Sequence, residues 1–136
     1  MPLNILIADD HDMVRDTIAM FLDTDGSTQT VAASDLHEAL KRIKSDGPFD
    51  LVLLDYTMPG MNGLEGLKVA ITANEGKPVG IISGTATRLI AEQALAEGAI
   101  GFLPKTLPAK SLVNAVRFMA AGETYAPVNF MSGNRL

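Results

Sequence analysis

The sequence predicts a doubly wound α/β domain built on five parallel strands, and three observations lead there. Short apolar runs recur five times, three of them carry no in/out alternation, and each is followed by a segment compatible with a helix. Strands covered on both faces read as continuous apolar runs, and parallel neighbours need long crossovers, usually helical. Right-handed crossovers then place helices on both faces of the sheet.

The first strand is expected in LNILIAD (3–9). After it Val14, Ile18, Phe21 and Leu22 fall at helical spacing and predict one buried stripe. TVAAS (30–34) supplies the second strand, and Leu36, Leu40 and Ile43, with Ala39 alongside, repeat the stripe. DLVLLD (50–55) is the third strand, and the Ala- and Leu-rich stretch 64–73 follows as a helix. PVGIIS (78–83) and 87–97 repeat the pattern. AIGFLPK (99–105) is the fifth strand, and Leu112, Val116, Met119 and Ala120 form a last helical stripe that Gly122 stops. Pro2, Pro48 and Pro78 stand at strand starts, where a missing N–H costs little.

At 136 residues the chain suits one domain. With 11 basic against 16 acidic residues it carries no overall positive field for a nucleic-acid backbone or an anionic membrane. The absence of cysteine excludes disulfides, thiolate metal sites and cysteine nucleophiles, and suits a reducing cytoplasm. MPLNILIADD reaches its acids after a short apolar run, so neither a signal peptide nor a membrane span is expected. The expectation is a cytoplasmic protein without membrane contact.

In an open parallel sheet, ligands bind beyond the carboxyl ends of the strands. There the first strand delivers Asp9 and Asp10, the third Asp55, the fourth Ser83 and Gly84, and the fifth Lys105. Three carboxylates packed together repel; protonation relieves this, and so does a divalent cation. Oxygen ligands alone suit Mg²⁺. A cation and an ammonium flanking one carboxylate describe a site for a dianionic phosphoryl group, with Asp55 as acceptor. Taken singly, Asp9 or Asp10 reads as a helix cap, Lys105 as a solvated lysine and Ser83 as a turn hydroxyl. His11 and His37 have no second ligand at metal spacing and are expected on the surface. The seven methionines read as core or loop filler.

Together these residues resemble the receiver domain of two-component response regulators, over about residues 3–122. The likeness rests on the acidic pair in ADDHDMVR, the phosphoacceptor in LLDYTMPGMNGLE, the hydroxyl in IISGTAT and the lysine in GAIGFLPKT. The resemblance implies strand order 2-1-3-4-5, an order the general rule for this fold already illustrates with a receiver protein. It implies that Asp55 accepts a phosphoryl group from a histidine kinase. Asp10, Asp55 and the main-chain carbonyl of Thr57 would be direct Mg²⁺ ligands, with Asp9 acting through a water. Lys105 would pair with one phosphoryl oxygen and Ser83 with another. Phe102 would be the switch aromatic, moving from exposed to buried, and Thr57 and Thr85 would tune hydrolysis. Phe102 stands where many members have tyrosine, and Thr106 where a proline often follows the lysine, which leaves the geometry of the Lys105–Thr106 bond open.

SLVNAVRFMAAGETYAP resembles the fifth helix of NarL/LuxR-class transcriptional regulators, in which a linker and a helix-turn-helix domain follow. Residues 1–124 are then expected to form the receiver and 125–136 to begin a linker or tail, too short for a DNA-binding unit. Phosphorylation would change the face built by the fourth helix, fifth strand and fifth helix, and DNA would be reached only through an output domain absent from this chain. A homodimer formed on phosphorylation is compatible with this reading. So is a stand-alone receiver acting through protein contacts. The chain would not be an enzyme beyond catalysing its own phosphorylation and dephosphorylation. A haloacid-dehalogenase-like phosphatase uses the same residue types, but with the nucleophile on the first strand and the metal-binding acids late, the reverse of the order here.

Overall fold

Runs that are apolar on both sides need two layers of cover, and the order of elements supplies them. The computed structural model describes residues 3–24, 26, 28–84 and 87–126. Pro2, Thr85 and the tail from 127 onward therefore lie outside the described residues. The strands β1 (Leu3–Ala8), β2 (Thr28–Ala33), β3 (Leu51–Asp55), β4 (Val79–Ser83) and β5 (Phe102–Pro104) form one parallel sheet in the order β2-β1-β3-β4-β5. Between and after them run α1 (Asp12–Asp23), α2 (Leu36–Asp46), α3 (Glu65–Ala73), α4 (Arg88–Ala96) and α5 (Ala109–Ala120).

The period of two along each strand divides the core. Leu6, Ala8, Val52, Leu54 and Ile81 face one layer with Leu36, Ala39 and Ile43 of α2, Leu67 and Ala70 of α3, and Ala91 and Ala94 of α4. Ile5, Ile7, Leu51, Leu53 and Ile82 face the other, against Ile18 and Leu22 of α1 and Leu112, Ala115, Val116 and Met119 of α5. All of β3 is buried. At about 2 kcal/mol for each fully buried aliphatic side chain, its four aliphatics contribute on the order of 8 kcal/mol, comparable to the whole net stability of a domain.

Four local outcomes differ from the sequence reading or complete it. Phe21 is 42% exposed while Ile18 and Leu22 are buried. At about 100° per residue Phe21 lies about 60° from Ile18 and about 100° from Leu22, which turns it off the buried stripe. β2 starts at Thr28, two residues early, because Leu3 of β1 pairs with it. The Lys105–Thr106 bond is trans, the one cis peptide among the described residues being Gly47–Pro48. Beyond α5, Tyr125 bridges Gly101 in parallel: its N–H donates to Ile100 O at 2.8 Å, and Phe102 N–H donates to its carbonyl at 3.2 Å.

At the amino-terminal end of the sheet, buried Asn74 ties the end of α3 to the start of β3. Its Oδ1 accepts from Phe49 N–H at 2.8 Å and its Nδ2 donates to Phe49 O at 3.1 Å. α2 starts on a reciprocal cap, with Glu38 N–H donating to Asp35 Oδ1 at 2.7 Å and Ser34 N–H to Glu38 Oε1 at 2.8 Å. No helix among the described residues is long and apolar enough to cross a membrane.

Candidate functional site

The sheet order decides which strand ends meet. β1 and β3 are neighbours, with Ala8 level with Leu54, so Asp9 and Asp55 emerge side by side at the carboxyl edge. β5 lies beyond β4, where Ser83 pairs with Pro104, and Lys105 N–H donates to Ser83 O at 2.9 Å. From there the lysine side chain reaches across the end of β4. Its Nζ lies 3.0 Å from Asp9 Oδ2 and 3.2 Å from Asp55 Oδ2. After Asp55 the chain turns away through Gly60, whose φ of +92° suits glycine, and Leu36 N–H donates to Pro59 O at 3.1 Å, fastening this loop to α2.

Asp9 and Asp55 are fully buried, and the Lys105 side chain is only 12% exposed. The two carboxylates are pushed apart in acidity. Burial is the largest influence on Asp9 and raises its pKa, but the His11 N–H bond at 2.8 Å and Lys105 outweigh it and hold the group below the usual carboxylate range. On Asp55 burial and the charge of Asp9 prevail over Lys105 and Thr57, and the group is pushed up. Its two oxygens differ. Oδ1 is approached by Thr57 N–H at 3.3 Å and Thr57 Oγ1 at 3.4 Å. Oδ2 is buried, accepts no hydrogen bond and is approached only as an ion pair, by Lys105 at 3.2 Å and by His11 Nδ1 at 3.7 Å; Asp9 Oδ2 likewise accepts no hydrogen bond and faces Lys105 at 3.0 Å.

Asp10 is 37% exposed beside the pair, so three carboxylates face one ammonium. That excess of negative charge, with two buried oxygens lacking hydrogen bonds, fits a divalent cation. One donor atom from each of Asp9, Asp10, His11 and Asp55 lies within 4.8 Å of the others. Above the acids an open cavity of about 420 Å³ is lined by His11, Val14, Thr57, Gly84 and Lys105, room enough for a small anion.

Asp9, Asp10, Asp55 and Lys105 therefore stand together as the strand ends imply. Ser83 is buried at the end of β4, and Phe102 is fully buried in β5. Thr57 is exposed next to Asp55, and Thr85 falls outside the described residues. His11 is where sequence reasoning fell short. Its ring is on the surface, 60% exposed, yet its Nδ1 stands among the acids, 3.1 Å from Asp9, 3.4 Å from Asp10 and 3.7 Å from Asp55. The available signal was its position directly after the acidic pair.

The family model for the response regulator receiver domain matches residues 5–117. The chain is 36% identical over 125 residues to the glycerol metabolism activator of Pseudomonas putida, covering 90% of this chain and 56% of that protein. Among solved structures, the signal receiver domain of NarL from Mycobacterium tuberculosis superposes with a TM-score of 0.80 at 35% identity, covering 90% of this chain and 98% of that one. A LuxR-family two-component response regulator from Aurantimonas sp. SI85-9A1 gives a TM-score of 0.85 at 25% identity, covering 97% and 94%. The chain spans a little over half the length of the first curated relatives it matches.

Proposed function

Because the chain belongs to the family of response regulator receiver domains, we propose that Asp55 is the phosphoacceptor of a two-component phosphorelay. The donor is the phosphohistidine of a sensor histidine kinase. The observation that carries this reading is the asymmetry of the Asp55 carboxylate: Oδ1 is approached by both Thr57 donors, while Oδ2 is buried without a hydrogen bond, 3.2 Å from Lys105 Nζ. Oδ2 is then the attacking atom. It forms the new P–O bond as the P–N bond of the phosphohistidine breaks, the leaving imidazole keeps the electron pair and takes up a proton, and the product is an acyl phosphate.

Placing two titratable acids with opposed shifts in one site separates their roles. Asp55, pushed up, is the more basic and more nucleophilic carboxylate; Asp9, held down, stays charged and anchors Lys105. Lys105 offsets charge on a phosphoryl oxygen, and Ser83 donates its hydroxyl to another. When bound, Mg²⁺ on Asp10, Asp55 and the carbonyl of Thr57, with Asp9 acting through a water, supplies the positive charge that offsets repulsion between the carboxylate and the phosphoryl oxygens.

Phosphorylation shifts a population between two arrangements of the α4–β5–α5 face, with Ser83 and Phe102 as the moving parts and Phe102 inward in this structure. Thr57 and Thr85 set the rate of hydrolysis. Residues 1–124 act as the receiver and 125–136 begin the connection to a DNA-binding output unit, a reading supported by the NarL and LuxR-family likenesses and by the greater length of the curated relatives. Family membership leaves no place for the haloacid-dehalogenase-like alternative.

The test is chemical. With Mg²⁺, acetyl phosphate should add one phosphoryl mass to the chain, and Asp55→Asn should abolish the increase. A mass increase that persists in Asp55→Asn would overturn the assignment.

A further inference from the structure

The contacts of His11 conflict with one another in a way that points to a ligand. Nδ1 is 3.1 Å from Asp9 Oδ1, which can only accept, and 3.1 Å from Lys105 Nζ, which can only donate. One nitrogen cannot serve both at once. A divalent cation removes the conflict, because it takes the Nδ1 lone pair and the carboxylate oxygens together. The spacing suits this. In an octahedral shell with ligands near 2.1 Å, neighbouring donors are about 3.0 Å apart and opposite ones about 4.2 Å. The distances from Nδ1 to Asp10 and Asp55, the two carboxylates assigned as direct ligands, are 3.4 and 3.7 Å, between the adjacent and opposite spacings. The second, independent sign is Asp9 Oδ2, a buried oxygen outside that set of distances that accepts no hydrogen bond.

The backbone holds the ring there. His11 is the extended residue before α1, with φ −95° and ψ 97°, and its N–H donates to Asp9 Oδ1 at 2.8 Å, the same oxygen that Nδ1 approaches. Its side chain makes no capping bond to the helix, so the imidazole is not needed to start α1.

We propose that His11 supplies an imidazole ligand to the cation of this site, so that the pocket favours nitrogen-accepting divalent ions such as Co²⁺ over Mg²⁺ more strongly than its carboxylates alone would. This rests on the cation reading given above. Imidazole contributes little to Mg²⁺, which prefers oxygen, and much more to the later first-row ions.

Co²⁺ and Mg²⁺ are titrated separately into the 136-residue chain and into His11→Ala, with His11→Gln as a second variant that keeps a polar side chain. The Co²⁺ affinity should fall at least about tenfold in both variants, the low end of what disturbing a metal ligand shell costs. Mg²⁺ affinity should move by less than about twofold. Proton spectra of the Co²⁺ form should show a strongly shifted, solvent-exchangeable imidazole N–H that survives in His37→Ala and is missing in both His11 variants. His37 is the only other histidine, so the assignment is unambiguous. If Co²⁺ binds but the shifted N–H is absent, or if both ions lose affinity equally, His11 is not a ligand. If the unaltered chain binds neither ion, the cation reading itself falls.

Discussion

Replacing Lys105 with methionine keeps an unbranched side chain, one atom shorter, and removes the one ammonium that faces the acids among the described residues. Lys105 is 12% exposed, and the carboxylates at 3.0 and 3.2 Å are fully buried. Each already has one oxygen without a hydrogen bond, so solvent does little to compensate. Removing one partner of a buried ion pair costs about 3–5 kcal/mol. Because a stranded carboxylate can escape part of that by taking up a proton, about 3 kcal/mol is expected at pH 8. For a domain of this size that is a fall in Tm of about 10 °C.

The pH dependence has a definite sign. Without Lys105 both acids lose a group that lowers their pKa. A carboxylate whose folded pKa is raised contributes stability that is present below its unfolded pKa and lost as pH rises through the folded one. In the unaltered chain Asp9, whose pKa is lowered, does the reverse and loses its contribution as pH falls through the folded value. The deficit of Lys105→Met should therefore be widest at alkaline pH and narrow on acidification. Urea unfolding followed by circular dichroism in EDTA, at pH 8 and again near pH 5, measures both numbers. No deficit at pH 8, a deficit that widens in acid, or one that is unchanged in an Asp9→Asn background would refute the reasoning.

Asp55→Asn should stabilise the metal-free chain at pH 8 by on the order of 1 kcal/mol, since it removes a charge opposed by burial and by Asp9. The gain should vanish as pH falls through the folded pKa of Asp55, which a pH series of unfolding curves checks. Asn74→Ala should cost about 3 kcal/mol by leaving both main-chain groups of buried Phe49 without their partner, as urea unfolding would show. At Gly101 a methyl group would sit 2.8 Å from Tyr125 O and would also meet Met119. Gly101→Ala should cost about 1–3 kcal/mol, and amide exchange should find Phe102 N–H, which donates to that oxygen, less protected.

The elements legible from sequence were those whose surroundings are uniform. LVLL of β3 lies between two helix layers, so no alternation interrupts it, and the acid that follows must come out at the sheet edge. The same logic placed Asp9, Asp10, Ser83 and Lys105. What escaped depends on which elements meet. Val14 and Phe21 carry the right spacing, but only the position of α1 against α5 decides that the stripe centres on Ile18 and Leu22. Asn74 reads as an ordinary helix end until Phe49 is placed beside it, twenty-five residues upstream. His11 was sought as a member of a sequence-spaced ligand set, whereas its partners arrive from two different strands.

The bridge between Gly101 and Tyr125 has a consequence for self-association. β5 is an outer strand, and the outward N–H of Phe102 and carbonyl of Ile100 are a row on which a strand from another molecule could add. Here the chain occupies that row with its own next residues, one position past the domain boundary that sequence alone suggests. A chain ended after Thr124 would keep every strand and helix of the sheet and still bare this edge. Its concentration-dependent aggregation, compared with that of a chain ended after Ala126, would measure how much those two residues protect the fold from its copies.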